Sequence, residues 1–195
     1  MSRTLITLRV LALAAGAVTT FSATGVVAQV SVFSGSSLAN NCSVLAKRGV
    51  PELREAINVC SIAIDHDNLT GRDLAGTYVN RGVLHLRRGD WVDARHDFDT
   101  ASSISPQMGE ALINRGASYI AQKRWAEGIS DIDRGLTLSP EEPEKAYYNR
   151  AIAKEHLDDM KGAYYDYLKA SELAPNWTAP KAELLRFSVA AKSGA

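Results

Sequence analysis

From Tyr78 to Pro175 the large and small side chains fall into three copies of one pattern. In the first copy Tyr78, Gly82 and His85 recur at i, i+4 and i+7, one face of a helix. A turn at Arg88-Gly89-Asp90 follows, where glycine tolerates the left-handed backbone that ends helices. A second helical stretch then places Ala94, Phe98 and Ala101 on one face, and Pro106 closes the unit. The second copy reads Leu112, Gly116 and Tyr119, then Gly128, Ile132, Gly135 and Pro140. The third reads Tyr147, Ala151 and Lys154, then Ala163, Tyr167, Ala170 and Pro175, with Lys154 marking a more exposed spot. Small residues on facing positions let paired helices approach closely, so each copy predicts a helix-turn-helix hairpin.

Polar positions keep the same step. The stretch NRGVLHLRRGDW at Asn80 returns as NRGASYIAQKRW at Asn114 and NRAIAKEHLDDM at Asn149, at spacings of 34 and 35 residues. Asp97, Asp131 and Asp166 keep that step, as do Trp91 and Trp125 with Met160 third. A period near 34 is the signature of stacked supersecondary units. The pattern resembles the tetratricopeptide repeat over residues 75–108, 109–142 and 144–177, with Pro143 as a one-residue insertion. That resemblance implies an all-α fold, a right-handed solenoid of helix-turn-helix repeats.

The flanks fit the scheme less closely. Residues 38–74 predict an irregular N-terminal hairpin, with a turn at Arg48-Gly49-Val50-Pro51 and a second helix to about Asp65. Ala56, Cys60 and Ala63 repeat the spacing of Ala94, Phe98 and Ala101, and counting back from the turn sets Cys42 opposite Cys60. Residues 178–195 hold a capping helix and tail, with Leu184, Leu185 and Phe187 on an amphipathic stretch from Pro180 to about Ala191. Solenoid ends need such caps because a terminal repeat otherwise exposes its core face.

The N-terminus changes the setting. Arg3 and Arg9, an apolar run from Val10 to about Val18, and Val26-Val27-Ala28 read as a signal peptide over residues 1–28, cut after Ala28. The apolar run is short for a membrane span, so no stable span is expected after cleavage; the alternatives are secretion and an uncleaved signal that anchors the chain. Residues 29–37 are expected to form a flexible N-terminal segment. Export makes a Cys42–Cys60 disulfide the favoured reading over two buried thiols. By analogy, the short signal and the absence of a lipid-anchor cysteine suit a bacterial periplasm.

Composition excludes some classes. Apolar residues at 46% and charged residues at 23% are globular values, and a formal net charge of zero gives no footprint for nucleic acid. His66, His85, His96 and His156 lack the local spacing of a metal site, and no phosphate loop or nucleophile elbow appears. Neither catalytic residues, metal ligands nor a cofactor are therefore assigned. His85 is read as a packed histidine. Asn68-Leu69-Thr70 and Asn176-Trp177-Thr178 match the glycosylation triplet, which matters only in a eukaryotic secretory pathway.

The recurrent Asn-Arg pair separates into two roles. Arg81 and Asp97, Arg115 and Asp131, and Arg150 and Asp166 are each 16 apart across a turn, so they are expected to form ion pairs tying first helix to second. By the resemblance, Asn80, Asn114 and Asn149 line a concave groove and bond the backbone of an extended peptide. The same face would show Val79, Val83 and Leu86, then Glu110, Ile113, Ala117 and Ile120, then Lys145, Tyr148, Ile152 and His156. A carboxylate clamp of the kind the family uses on chaperone tails is incomplete. Asn114 and Lys145 match it, but Val79, Val83 and Asn149 do not. The expected function is a non-catalytic interaction module that binds a protein or peptide segment. The alternatives are a groove covered by the chain's own termini, a homo-oligomer whose groove holds a second copy, and a subunit of an enzyme complex.

Overall fold

The computed structural model describes residues 27–29, 37–50 and 52–193. Apart from residues 27–29, the described residues form α-helices joined by short turns. The N-terminal hairpin is α1 (Leu38–Arg48) and α2 (Leu53–His66). The repeats are α3 (Gly71–Arg88) with α4 (Trp91–Ile104), α5 (Gly109–Ala121) with α6 (Trp125–Leu136), and α7 (Pro143–His156) with α8 (Met160–Leu173). Helix α9 (Thr178–Ser193) caps the end. Helix α3 begins at Gly71, a turn before the start expected from the period.

The helix ends follow from local chemistry. Ser37 Oγ accepts from the Asn40 amide at 3.2 Å, closing the N-terminus of α1. Gly49 and Gly89 stop α1 and α3 at φ of 67° and 89°, a conformation that costs glycine little. Pro143 opens α7 at a position where its missing N–H is no loss.

Each first helix packs on its own second helix, and each second helix on the next first helix. Close approach depends on the small residues. A Cβ added to Gly82 would lie 2.5 Å from the ring of Phe98, which is fully buried. One added to Gly116 would meet the Gly128 carbonyl at 2.8 Å. Cys42 and Cys60 form the expected disulfide, Cα to Cα 4.8 Å, stapling α1 to α2 in a cluster with Ala46, Ala56 and Ile57. At the other end α9 lies on α8 and covers an aromatic cluster of Tyr148, Tyr167, Trp177 and Phe187.

Candidate functional site

The arginine-aspartate pairs close as the 16-residue spacing predicts, and each does more than tie its own hairpin. Arg81 donates to both oxygens of Asp97 at 2.9 and 2.7 Å, Arg115 to Asp131 at 2.6 and 2.7 Å, and Arg150 to Asp166 at 2.8 and 2.7 Å. The remaining nitrogen reaches back one unit. Arg81 Nη1 donates to Ser61 Oγ in α2, Arg115 Nη1 to Asp99 in α4, and Arg150 Nη1 to Asp133 in α6. The guanidinium fork thus locks three helices at once. Burial alone would lower the pKa of Arg81 and Arg150, but the bonds to Asp97, and to Asp166 and Asp133, raise it above the ordinary value. At Arg115 the bond to Asp131 is the leading cause of the same upward shift. In the last repeat Lys154 joins the ladder, its Nζ 2.8 Å from Asp166. The expected exposed spot is instead a second cation on a buried carboxylate.

On the first helices Asn80, Asn114 and Asn149 are all fully buried. Asn149 Oδ1 accepts from the Val27 amide at 3.0 Å, and its Nδ2 donates to the Val27 carbonyl at 2.7 Å. Asn114 repeats the arrangement two residues on, accepting from the Gln29 amide at 2.8 Å and donating to the Gln29 carbonyl at 2.9 Å. In extended chain, alternate residues present N–H and C=O to the same side. Each carboxamide therefore acts as one rung of a β-ladder, and the reciprocal pairing sets which side-chain atom is oxygen. The held segment runs from unit three towards unit two, against the order of the repeats.

The side chains of this segment are read as well. Val27 packs on the cluster of Tyr148, Ala151 and Tyr167, with Tyr147, Ile152 and Trp177 at its edge. Ala28 packs on the cluster that holds Val79, Val83, Met108 and Ala111. Gln29 is 1% exposed, and its Nε2 donates to the Glu142 carbonyl at 2.7 Å. Its Oε1 is buried without a hydrogen-bond partner among the described residues.

Several expected groove residues stand elsewhere. Ile113 and Ile120 turn into the hairpin: a Cβ on Gly135 would come within 2.6 Å of Ile113 and one on Gly128 within 2.5 Å of Ile120. They are core, not floor, because the glycines of α6 let α5 sink against it. Lys145 is engaged by Glu142 at 2.7 Å, and His156 stacks on Trp125 with ring centroids 4.1 Å apart. Val83 and Ala117 are fully buried, while Tyr148 and Ile152 belong to the aromatic cluster that receives Val27. Gln29 lies in the stretch expected to be flexible, yet its backbone and side chain are both held. The fold also gathers His85, Asp90 and Asp93, whose ligand atoms lie within 4.8 Å of one another. Asp90 is already held by Arg88 and His85: burial is the largest single influence and pushes its carboxyl up, but those two bonds and the Arg88 charge together set it below the usual range. His85, in the last turn of α3, thus contacts Asp90 at 3.4 Å as well as packing as a partly buried residue.

Neither the protein-family models nor the curated proteins give a match to the chain. Solved structures do. The first TPR domain of the human RPAP3 protein is 26% identical, with a TM-score of 0.58, over 63% of this chain and 96% of that one. The first TPR of Spaghetti (RPAP3), bound to the HSP90 peptide SRMEEVD, is 24% identical with a TM-score of 0.59, over 63% of this chain and 99% of that one. MamA from Desulfovibrio magneticus RS-1 is 17% identical with a TM-score of 0.59 and covers more of this chain, 80%, and 91% of its own. The last two likenesses are of fold.

Proposed function

The chain is a tetratricopeptide-repeat protein, and on that premise we propose that it is a non-catalytic interaction module holding an extended partner segment along its first helices. The observation that carries this reading is the pair of reciprocal carboxamide-backbone contacts, Asn149 on Val27 and Asn114 on Gln29. Two such rungs, one per repeat and two residues apart, bind any sequence by its backbone. Asn80, buried on the same row in unit one, extends the series. Side-chain preference comes from the Tyr148 and Trp177 cluster, which takes a valine-sized residue, and from the position two residues on, where the Glu142 carbonyl accepts a donor. The peptide seated on the Spaghetti domain supports the same use of this fold.

The module belongs outside the cytoplasm, in the cell envelope or periplasm. Arg3, Arg9 and the apolar run after them support export, as does the Cys42–Cys60 disulfide. No helix among the described residues is long and apolar enough to cross a membrane.

Panning a library of displayed random peptides on the full chain and on its Asn114→Ala/Asn149→Ala variant tests the function. Peptides enriched on the first should lose capture on the second. Enrichment that ignores both asparagines, with the helical signal of the variant intact, would refute the groove as the binding site.

A further inference from the structure

The groove is occupied by the chain itself. We infer that the segment through Val27–Gln29 is a built-in competitor that a partner segment must displace, so that binding is restrained until this segment is withdrawn or cut. The inference rests on the groove reading above and adds regulation to it.

Three observations carry it. The contacts made by Val27 and Gln29 use both backbone groups of each residue, leaving no room for a second strand on Asn149 and Asn114. The occupant is an imperfect fit: the Gln29 side-chain oxygen Oε1 is buried without a hydrogen-bond partner among the described residues, whereas its Nε2 is satisfied by Glu142. A segment bringing only donors to that position escapes the cost of the unpaired acceptor. Finally, the bond that the export reading would cut, Ala28–Gln29, lies between the two rungs. Cutting there separates the residue on Asn149 from the residue on Asn114 and frees the unit-three half of the groove, with Tyr148 and Trp177 at its floor. The ligand that half would take is an extended peptide with a valine-sized residue at the Asn149 rung.

The strength of the restraint follows from the tether. Residues 30–37 link Gln29 to α1, a short linker that gives an effective concentration on the order of 1 mM. Against an intrinsic peptide Kd of about 100 µM, that weakens an incoming peptide about tenfold.

The test uses a fluorescein-labelled synthetic peptide of the sequence TGVVAQV, residues 24–30, and fluorescence polarisation against the uncut full chain. In the Val27→Pro/Gln29→Pro variant the segment loses the two N–H groups that Asn149 and Asn114 accept, and no packed helix is altered. This variant should bind the probe about tenfold more tightly than the unaltered chain. Adding Asn114→Ala and Asn149→Ala to it should abolish the gain. Equal binding by the unaltered and proline chains, still dependent on the asparagines, overturns the competitor and leaves the groove reading standing. No binding by the proline variant, with its melting unchanged, overturns both. A doubled solution mass that the proline substitutions halve would place the segment in a second copy and overturn the intramolecular account.

Discussion

Replacing Arg115 by methionine keeps an apolar stem and removes the fork that joins α4, α5 and α6. Three short charge-assisted bonds disappear: two to Asp131 at 2.6 and 2.7 Å, and one to Asp99 at 2.6 Å. The two carboxylates differ in exposure. Asp131 is 9% exposed at its side chain and loses its countercharge in a buried place, which costs about 3–5 kcal/mol. Asp99 is 53% exposed and water replaces the arginine, so that leg is worth only ~0–1 kcal/mol. Because Arg115 keeps 20% exposure, the lower end applies, about 3 kcal/mol, or a fall of roughly 6–12 °C in melting temperature for a chain of this size. Urea unfolding of Arg115→Met, Asp99→Asn and Arg115→Met/Asp131→Leu separates the terms. The first should be severe, the second should cost under about 1 kcal/mol, and the double variant should regain at least half of the loss, because the stranded charge is gone. Equal small losses in both single variants, or no recovery in the double, would refute the claim that a buried carboxylate makes this ladder matter.

Two further predictions come from the ends of the solenoid. Reducing Cys42–Cys60, or replacing both with alanine, should destabilise the N-terminal hairpin by about 3 kcal/mol for an 18-residue loop. Hydrogen exchange should show the loss confined to α1 and α2, and exchange that rises equally in α7 and α8 would contradict nearest-neighbour stacking. At the other end, burial pushes the Tyr167 hydroxyl above its ordinary value of 10.0, helped by the charge of Glu155, and burial with Glu183 does the same to Tyr148. The unfolded chain therefore loses these protons first, so stability is full below about pH 10 and falls as pH rises beyond it. Tyr167→Phe should flatten that alkaline fall in a melting series, and an unchanged slope would sink the assignment.

Much of the fold was legible because a helical period of 3.6 and a repeat period near 34 are both long-range regularities in the chain. The Arg81–Asp97 spacing gave the hairpin tie in the same way. The 16-residue spacing does not carry the backward reach of each arginine, whose mark is subtler: Asp97-Phe98-Asp99 and Asp131-Ile132-Asp133 hold a second acid where another repeat follows, and Asp166-Tyr167-Leu168, in the last repeat, does not. Ile113 stands in the hairpin core and not in the groove because one position on a helix turns the side chain by about 100°. The occupant of the groove left no periodic mark at all. Val27 to Gln29 are held at both rungs through their backbone, which any residue supplies, and the side-chain contacts of three residues are too few to leave a regularity along the chain.

Backbone hydrogen exchange at the Val27 and Gln29 amides of the uncut chain tests the asparagine rungs most directly. Both should exchange far more slowly than free peptide. Asn149→Ala should release Val27 first and Asn114→Ala should release Gln29 first, with the helices unaffected. Exchange of Gln29 at the free-peptide rate in the unaltered chain, where it is 1% exposed and bonded to Asn114 at 2.8 Å, would contradict the groove as a reader of extended backbone.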